Sequence, residues 1–118
     1  MMKYFIAHII ASFVLATAIA SIATKGAFAQ TAAQRCEKES GDAAIAACNE
    51  AIRLNPKFAY AYSNRGAAWS EKGDYDRAIA DYNEAIRLNP NYAIAYNNRG
   101  LAWGDKGVYD RAIADLNE

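Results

Sequence analysis

The chain has 118 residues, of which 53% are hydrophobic, and its 13 basic and 13 acidic residues give a formal net charge of zero. This length allows one small domain at most, and the neutral charge argues against a broad surface for nucleic-acid phosphates, which needs an excess of lysine and arginine. Eight tyrosines, four phenylalanines and two tryptophans provide ample apolar area for a core, so the composition also argues against disorder.

Residues 1–29 have the pattern of a secretory signal peptide. Lys3 lies near the start, no acidic residue is present, an apolar and small-residue run extends from Tyr4 to about Thr24, and Ala27-Phe28-Ala29 precedes Gln30. A positive head, an apolar centre and small residues before the cut predict cleavage after Ala29. The alternative is an uncleaved membrane anchor, because the apolar run approaches the roughly 20 residues that span a bilayer.

Cleavage would send the remaining chain to a bacterial periplasm or to the exterior. The signal segment contains Lys3, Lys25 and the single histidine but no acidic residue, so the mature chain would be slightly acidic and free of histidine. Without histidine it has no Ser/His/Asp or Cys/His arrangement and no histidine ligand for zinc. We therefore expect no enzyme, no cofactor and no metal site.

The rest of the chain contains a sequence repeat with a fixed offset, in which residue 58 corresponds to residue 92. Residues 58–84 and 92–118 are identical at 19 of 27 positions, and at the same offset residues 44–56 match residues 78–90 at 11 of 13 positions. A fixed period of this size is typical of stacked supersecondary units. The sequence therefore contains two similar units, preceded by a more divergent one.

Each unit is predicted to be an antiparallel pair of helices. Tyr62, Gly66 and Trp69 recur on one helical face within residues 59–72, and a second helical pattern begins at Tyr75. Between them, Lys72-Gly73-Asp74 predicts a turn, in which the glycine takes a left-handed conformation and the aspartate caps the second helix. Asn89-Pro90 then ends that helix.

These residues resemble the tetratricopeptide repeat (TPR) family. The resemblance is carried by aromatic and small residues in register in two units, over about residues 31–118: Tyr62, Gly66, Trp69, Ala78, Tyr82 and Pro90, then Tyr96, Gly100, Trp103 and Ala112. Two departures are Arg65 and Arg99 where the family usually has leucine, and Leu116 where an aromatic residue is expected.

The resemblance implies an all-α fold, a right-handed α-solenoid of antiparallel helix pairs with about 2.5 repeats. We divide the chain into a signal peptide (1–29), a divergent first repeat with two cysteines (30–58), a second repeat (59–92) and a truncated third repeat (93–118). Gly66 and Ala78 are predicted to let the two helices of a unit approach closely.

Cys36 and Cys48 lie in the divergent first repeat, which has lost the aromatic residues of its first helix. Export to an oxidising compartment favours a disulfide between them, which would stabilise a unit with a poor core. Two buried free thiols are the simpler alternative. A redox-active pair is less well supported, because the spacing lacks the two-residue gap of the usual motif.

The family resemblance implies that the first helices line a concave groove that binds a peptide or a partner protein. The groove residues would be Tyr60, Ser63, Asn64, Ala67 and Ser70 in one unit and Ile94, Asn97, Asn98, Leu101 and Asp105 in the next. Asn64 and Asn98 are the strongest candidates, because a carboxamide both donates and accepts hydrogen bonds. Either could instead be a solvated surface residue.

Charged residues near the groove have more than one interpretation. Arg65 and Arg99 could contact a ligand or form bridges to neighbouring carboxylates. The carboxylates of Asp76, Asp81 and Glu84 recur one period later, as a solvated helix face copied with its repeat would. With so few basic residues near the groove, the family's basic clamp for a peptide carboxylate is not expected.

The sequence thus predicts an exported, non-enzymatic module or scaffold for protein-protein interaction, with a peptide or protein partner and no nucleic acid. The main alternative is a structural assembly edge, or a piece of a longer TPR protein with no groove ligand. Membrane attachment is expected only if the signal segment stays uncleaved. Residue 118 falls eight residues before the period closes, so self-association through an uncapped last repeat is a further expectation.

Overall fold

The computed structural model describes residues 24–118, which form six helices and no strand. The described part of helix α1 covers residues 24–38. The others are α2 (Gly41–Leu54), α3 (Ala59–Glu71), α4 (Tyr75–Leu88), α5 (Ala93–Asp105) and α6 (Tyr109–Leu116). Most of the predicted signal peptide, residues 1–23, lies outside the described residues.

The helix ends follow the local sequence. Gly73 has a φ of 79°, and the Asp74 carboxylate accepts a hydrogen bond of 3.2 Å from the backbone N–H of Arg77. This capping satisfies one of the free N–H groups at the start of α4. Helix α4 ends at Leu88, directly before Asn89-Pro90. The predicted turn, cap and stop are therefore confirmed.

The helices stack as the helical repeat predicted from the sequence. Each helix from α2 to α6 packs against the next, so the units are α1 with α2, α3 with α4, and α5 with α6. We call α1, α3 and α5 the first helices of their units, and α2, α4 and α6 the second helices. The all-α solenoid fold is thereby confirmed.

Small residues allow the close approach within a unit. A Cβ atom placed on Gly66 would lie 2.8 Å from a ring carbon of Tyr82 and 3.1 Å from the carbonyl oxygen of Ala78. Ala78 itself is completely buried. The prediction that Gly66 and Ala78 bring the two helices together is correct, since even a Cβ atom at residue 66 is too close to its neighbours on α4.

The core differs between the units. In the first unit the largest cluster contains a cystine and alanines, with Ile52, Leu54 and Phe58 at its edge. A smaller cluster buries Ile45 of α2 against Trp69 of the second unit. Around α4 it contains Ile79 and the fully buried ring of Tyr82, with Trp69 and Trp103 packed against them. The largest fully buried side chain, Tyr82, is therefore in the middle of the stack.

The predicted cleavage point, between Ala29 and Gln30, lies within α1. The buried residues of this helix, Ala32 and Cys36, both follow that point. Cleavage there would retain both buried residues of α1 and remove Lys25 and Phe28, which adjoin the end of α2. Within residues 24–118, no helix combines the length and the hydrophobicity needed to cross a membrane.

Candidate functional site

The first helices lie together on one side of the stack. Helix α3 contacts α5 directly, whereas among α2 to α6 no two second helices touch each other. The Cys36 sulfur on α1 also lies 3.9 Å from the carbonyl oxygen of Ala61 on α3. A stack whose first helices touch while its second helices splay apart curves towards the first helices.

We call the exposed surface of these helices the inner face. It contains five of the predicted groove residues on α5: Ile94, Asn97, Asn98, Leu101 and Asp105. Ile94 and Leu101 are 58% and 56% exposed. Asn97 and Asp105 are exposed, and Asn98 is partly exposed. Two apolar side chains and two amides thus face outward next to one another.

On α3 the predicted residues divide into two groups. Tyr60, Asn64 and Ala67 are partly exposed and belong to the inner face. Ser63 is 2% exposed, and its hydroxyl adjoins the Tyr92 phenol, whose pKa is raised by burial. The hydroxyl oxygen of Ser70 is also buried. Neither serine hydroxyl is positioned to contact a ligand on the inner face, because Tyr92 of the next unit adjoins that of Ser63 and Tyr82 of the same unit adjoins that of Ser70.

Asn64 lies in a small pocket between the first and second units. The pocket has a volume of about 130 Å³ and is lined by residues of α1, α2, α3 and the turn after α1: Cys36, Glu37, Glu39, Ser40, Ala44, Asn64, Ala67, Ala68 and Glu71. The Asn64 carboxamide forms no hydrogen bond with any described residue. It is therefore available to an incoming polar group.

Aromatic rings lie at the amino-terminal end of α3. The ring centroids of Phe58 and Tyr60 are 5.8 Å apart, with the planes tilted by 36°. Phe58 packs against the core of the first unit. Tyr60 is thus held in place while part of its ring remains exposed.

Arg65 and Arg99 do not contribute to the inner face. Arg65 donates to both carboxylate oxygens of Asp81, at 2.8 and 2.7 Å, and to the Asn49 side chain at 2.7 Å. The hydrogen bond with Asp81 raises the pKa of Arg65, although burial opposes this. The bridging interpretation is confirmed for this arginine, which links α2, α3 and α4.

The same cluster recurs one period later. Arg99 bonds to Asp115 at 2.7 and 2.5 Å and to Asn83 at 2.7 Å. Asp81 and Asp115 are only 7% and 8% exposed. The prediction that these two carboxylates belong to a solvated face is therefore wrong: each is drawn inward by the arginine that replaces the usual leucine.

Lysines connect each unit to the one before it. Lys72 forms an ion pair with Asp42, and Lys106 forms the equivalent pair with Asp76. Each pair joins the end of a first helix to the start of the preceding second helix. These lysines are consequently turned away from the inner face by their partners.

Cys36 and Cys48 form a disulfide between α1 and α2. Both are buried, at 2% and 0% exposure, and Cys48 takes the position that Tyr82 occupies one period later. The predicted disulfide is present in the structure. Within residues 24–118, no three His, Cys, Asp or Glu side chains are grouped to hold a metal ion.

Two residues of this surface were absent from the predicted groove set. Glu37 and Glu71 line the pocket beside Asn64, and they lie exactly one repeat period from each other, in register with Asp105. Glu37 and Glu71 could have been predicted from the sequence, because Asp105 is among the predicted groove residues and the repeat period relates it to both of them.

Two family models match the chain: one described as tetratricopeptide repeat over residues 47–80, and one described as TPR repeat over residues 69–107. A crystal structure of MamA is 37% identical over 64% of this chain and 44% of its own, with a TM-score of 0.61. A second MamA structure, also 37% identical with a TM-score of 0.61, has 41% of its length covered. The chain therefore spans less than half the length of either MamA chain.

The TPR2B-domain:pHsp70 complex of yeast Sti1 is also similar to this chain. It is 32% identical over 75% of this chain and 74% of its own, with a TM-score of 0.72. No curated protein sequence matches the chain.

Proposed function

Because the chain belongs to the tetratricopeptide repeat family, we propose that it is a protein-interaction module that binds a peptide or a segment of a partner protein on its inner face. The supporting observation is that this face presents amides without hydrogen-bond partners among the described residues and apolar side chains exposed to solvent. Asn64 and Asn98 form no hydrogen bond with the described residues, and Ile94 and Leu101 are more than half exposed. Helices hold these groups in fixed positions, which lowers the entropy cost of binding.

The proposed mechanism combines backbone recognition with apolar contact. The two asparagine amides would each donate and accept hydrogen bonds with ligand peptide groups. Leu101 and Ile94 would bury apolar ligand side chains, which contributes about 25 cal/mol per Å² of apolar surface. The related TPR2B domain of Sti1 was solved in a complex with pHsp70, which supports a ligand derived from a partner protein.

A ligand recognised through a carboxylate is not part of this proposal. The two arginines near the face are already committed to Asp81 and Asp115, and Lys72 and Lys106 to carboxylates of the preceding unit. We also propose no catalysis, since neither matching family model describes an enzyme.

The proposal is tested with a library of random peptides displayed on phage and selected against the folded chain. Enriched peptides should bind the wild type and lose about tenfold in affinity to Asn64→Ala/Asn98→Ala, as expected for two hydrogen bonds. The matched control is Asn91→Ala/Asn117→Ala, which removes two exposed asparagines outside the inner face. Equal binding by all three proteins would contradict the proposal.

We further propose that the protein is exported and that its signal segment is removed after Ala29. The buried Cys36–Cys48 disulfide supports this, because such bonds persist in oxidising compartments. Amino-terminal sequencing of the protein from the exported fraction should begin at Gln30. A protein that begins at Met1 or Met2 and remains with the membrane would show that the segment is an anchor.

Self-association is a second candidate function, favoured by the exposure of α6. Ile113 is 59% exposed, whereas Ile79, its equivalent in the previous unit, is 5% exposed because α5 packs there. We propose a second copy of the chain as the occupant. Sedimentation velocity should then show a dimer that Ile113→Ser/Leu116→Ser dissociates, and a monomer at all concentrations would exclude this role.

A further inference from the structure

We propose that the ligand of the inner face is a basic, extended segment with a lysine or arginine at every third residue. This inference rests on the proposed function, because it specifies the chemistry of the ligand for the same surface. Two features support it: the negative charges on the first helices, and the distance between the axes of neighbouring first helices.

Each first helix carries one carboxylate at the same position of the repeat. These residues are Glu37, Glu71 and Asp105, each one repeat period from the next. All three are exposed, and none of them forms a hydrogen bond or ion pair with another residue of 24–118. Glu37 and Glu71 line the same pocket as Asn64, so two of the three carboxylates lie close to this asparagine.

Helix stability does not account for these carboxylates. Glu71 and Asp105 are the last residues of α3 and α5, where the helix dipole disfavours negative charge. The acidic residues Asp42 and Asp76, by contrast, lie in the first turns of α2 and α4, where the dipole favours them. An unfavourable position that recurs in each unit is consistent with a role in binding.

No basic side chain neutralises the row at the second and third units. Lys72 and Lys106 follow Glu71 and Asp105 in sequence, but each is paired with an aspartate of the preceding unit. Lys38 is the equivalent residue in α1 and has no carboxylate partner among the described residues. The excess of negative charge is thus clearest at Glu71 and Asp105, and its complement is a positively charged ligand.

The helix spacing sets the spacing of the ligand charges. Helices in contact, such as α3 and α5, have axes about 8–10 Å apart. A polyproline II segment repeats every three residues over about 9 Å and has no internal hydrogen bonds. Basic residues three apart would therefore meet successive carboxylates, while the free backbone groups of the ligand would bond to Asn64 and Asn98.

The test measures the binding of three labelled peptides by fluorescence anisotropy at low salt. The first has an arginine at every third position among neutral residues, the second has the same composition with the arginines adjacent, and the third has glutamate in place of arginine. We expect the first to bind most tightly and to lose affinity as salt is raised. Glu71→Gln/Asp105→Asn should weaken it about fivefold, as expected for two exposed ion pairs.

The matched control is Glu50→Gln/Glu84→Gln, which also removes one carboxylate from each of two units but on α2 and α4. It should bind the first peptide like the wild type. If both double variants bind it equally, or if the adjacent arginines bind as well as the spaced ones, the carboxylate row does not select the ligand and the inference is wrong.

The peptides also separate this inference from the proposed function. Preference for the acidic peptide, with loss of binding in Asn64→Ala/Asn98→Ala, would overturn the basic ligand and retain the inner face as the binding site. If none of the three peptides binds, the basic ligand is wrong, and the displayed library then decides whether the face binds peptides at all.

Discussion

Arg65 departs from the family pattern, and its hydrogen bonds to neighbouring helices explain how the fold accommodates it. Leucine is usual at this position, but the guanidinium here bonds to Asp81 and Asn49 on the two flanking helices and lies 5.6 Å from the centroid of the Tyr62 ring. The side chains of Arg65 and Asp81 are 22% and 10% exposed. A partly buried pair of this kind depends on both partners, since either charge alone would be poorly solvated.

We predict that Arg65→Ala lowers the free energy of unfolding by about 2 kcal/mol, because it leaves the Asp81 carboxylate buried without its partner. The double variant Arg65→Ala/Asp81→Ala should lose less than the sum of the two single variants, which urea denaturation in a double-mutant cycle would measure. Arg53→Ala, which removes an arginine 68% exposed in its ion pair, is the control and should change stability little. Strict additivity would show that the Arg65–Asp81 pair is not coupled.

Sequence reasoning placed Arg65 near a carboxylate but did not identify Asp81 as its partner. The two residues are 16 apart and lie on different helices, so their contact depends on how the Gly73 turn folds α4 back against α3. Helical periodicity describes one helix at a time. The useful signal was the joint recurrence of Asn49, Arg65 and Asp81 one repeat period later.

The equivalent glycines Gly66 and Gly100 provide a second prediction. A Cβ atom at residue 66 meets the Tyr82 ring at 2.8 Å, whereas at residue 100 the nearest atoms, Ala112 O and Leu116 Cγ, are 3.2 Å away. Tyr82 is 1% exposed and cannot move aside, but Leu116 is 53% exposed. Gly66→Ala should therefore cost about 1–3 kcal/mol.

Gly100→Ala should be less destabilising than Gly66→Ala by at least about 1 kcal/mol, because the more favourable helix propensity of alanine offsets the milder contact. Thermal melts of the two variants beside the wild type make the comparison. Equal losses would mean that the leucine at residue 116 packs as firmly as the tyrosine at residue 82.

Among the elements, α1 and α2 differ most from their counterparts in later units. Their shared core consists of Cys36, Cys48 and alanines, where the middle unit has Tyr82 and the nearby tryptophans. Fewer apolar atoms are buried here, so the packing contributes less stabilisation. The disulfide compensates by restricting the unfolded chain.

We predict that Cys36→Ser/Cys48→Ser destabilises the first unit by about 3 kcal/mol on the chain-entropy model. Because each repeat contacts only its neighbours, amide hydrogen exchange should accelerate mainly in α1 and α2 and remain slow in α4 and α5. The wild type after reduction should behave like the double variant. Uniform acceleration along the chain would indicate instead that the stack unfolds as one cooperative unit.

The helices were largely predictable from the sequence, because glycine, proline and capping residues mark their ends. Gly73 and Asp74 define the turn before α4, and Pro90 follows its end. The burial of groove candidates was not predictable in the same way. Ser63 and Asn97 occupy one repeat position, yet Ser63 is buried and Asn97 exposed, since Tyr92 of the following unit adjoins only the first of them.

In the whole molecule, the same hydrogen bonds and ion pairs recur from one unit to the next along the stack. Arginine clusters join three successive helices at Arg65 and Arg99, and the Lys72 and Lys106 ion pairs join neighbouring units. These contacts use the cations on and directly after α3 and α5 and leave Glu71 and Asp105 without partners among residues 24–118. The same arrangement that holds the units together thus gives the inner face its negative charge.

The measurement that most directly tests the binding of a basic segment on the inner face is a titration of isotopically labelled protein with the spaced arginine peptide, followed by backbone amide chemical shifts. Binding on this face predicts the largest changes along α3 and α5, around Asn64, Glu71, Asn98 and Asp105, with little change on the outer surfaces of α2, α4 and α6. Changes centred on those second helices, or an absence of change at saturating peptide, would contradict the account.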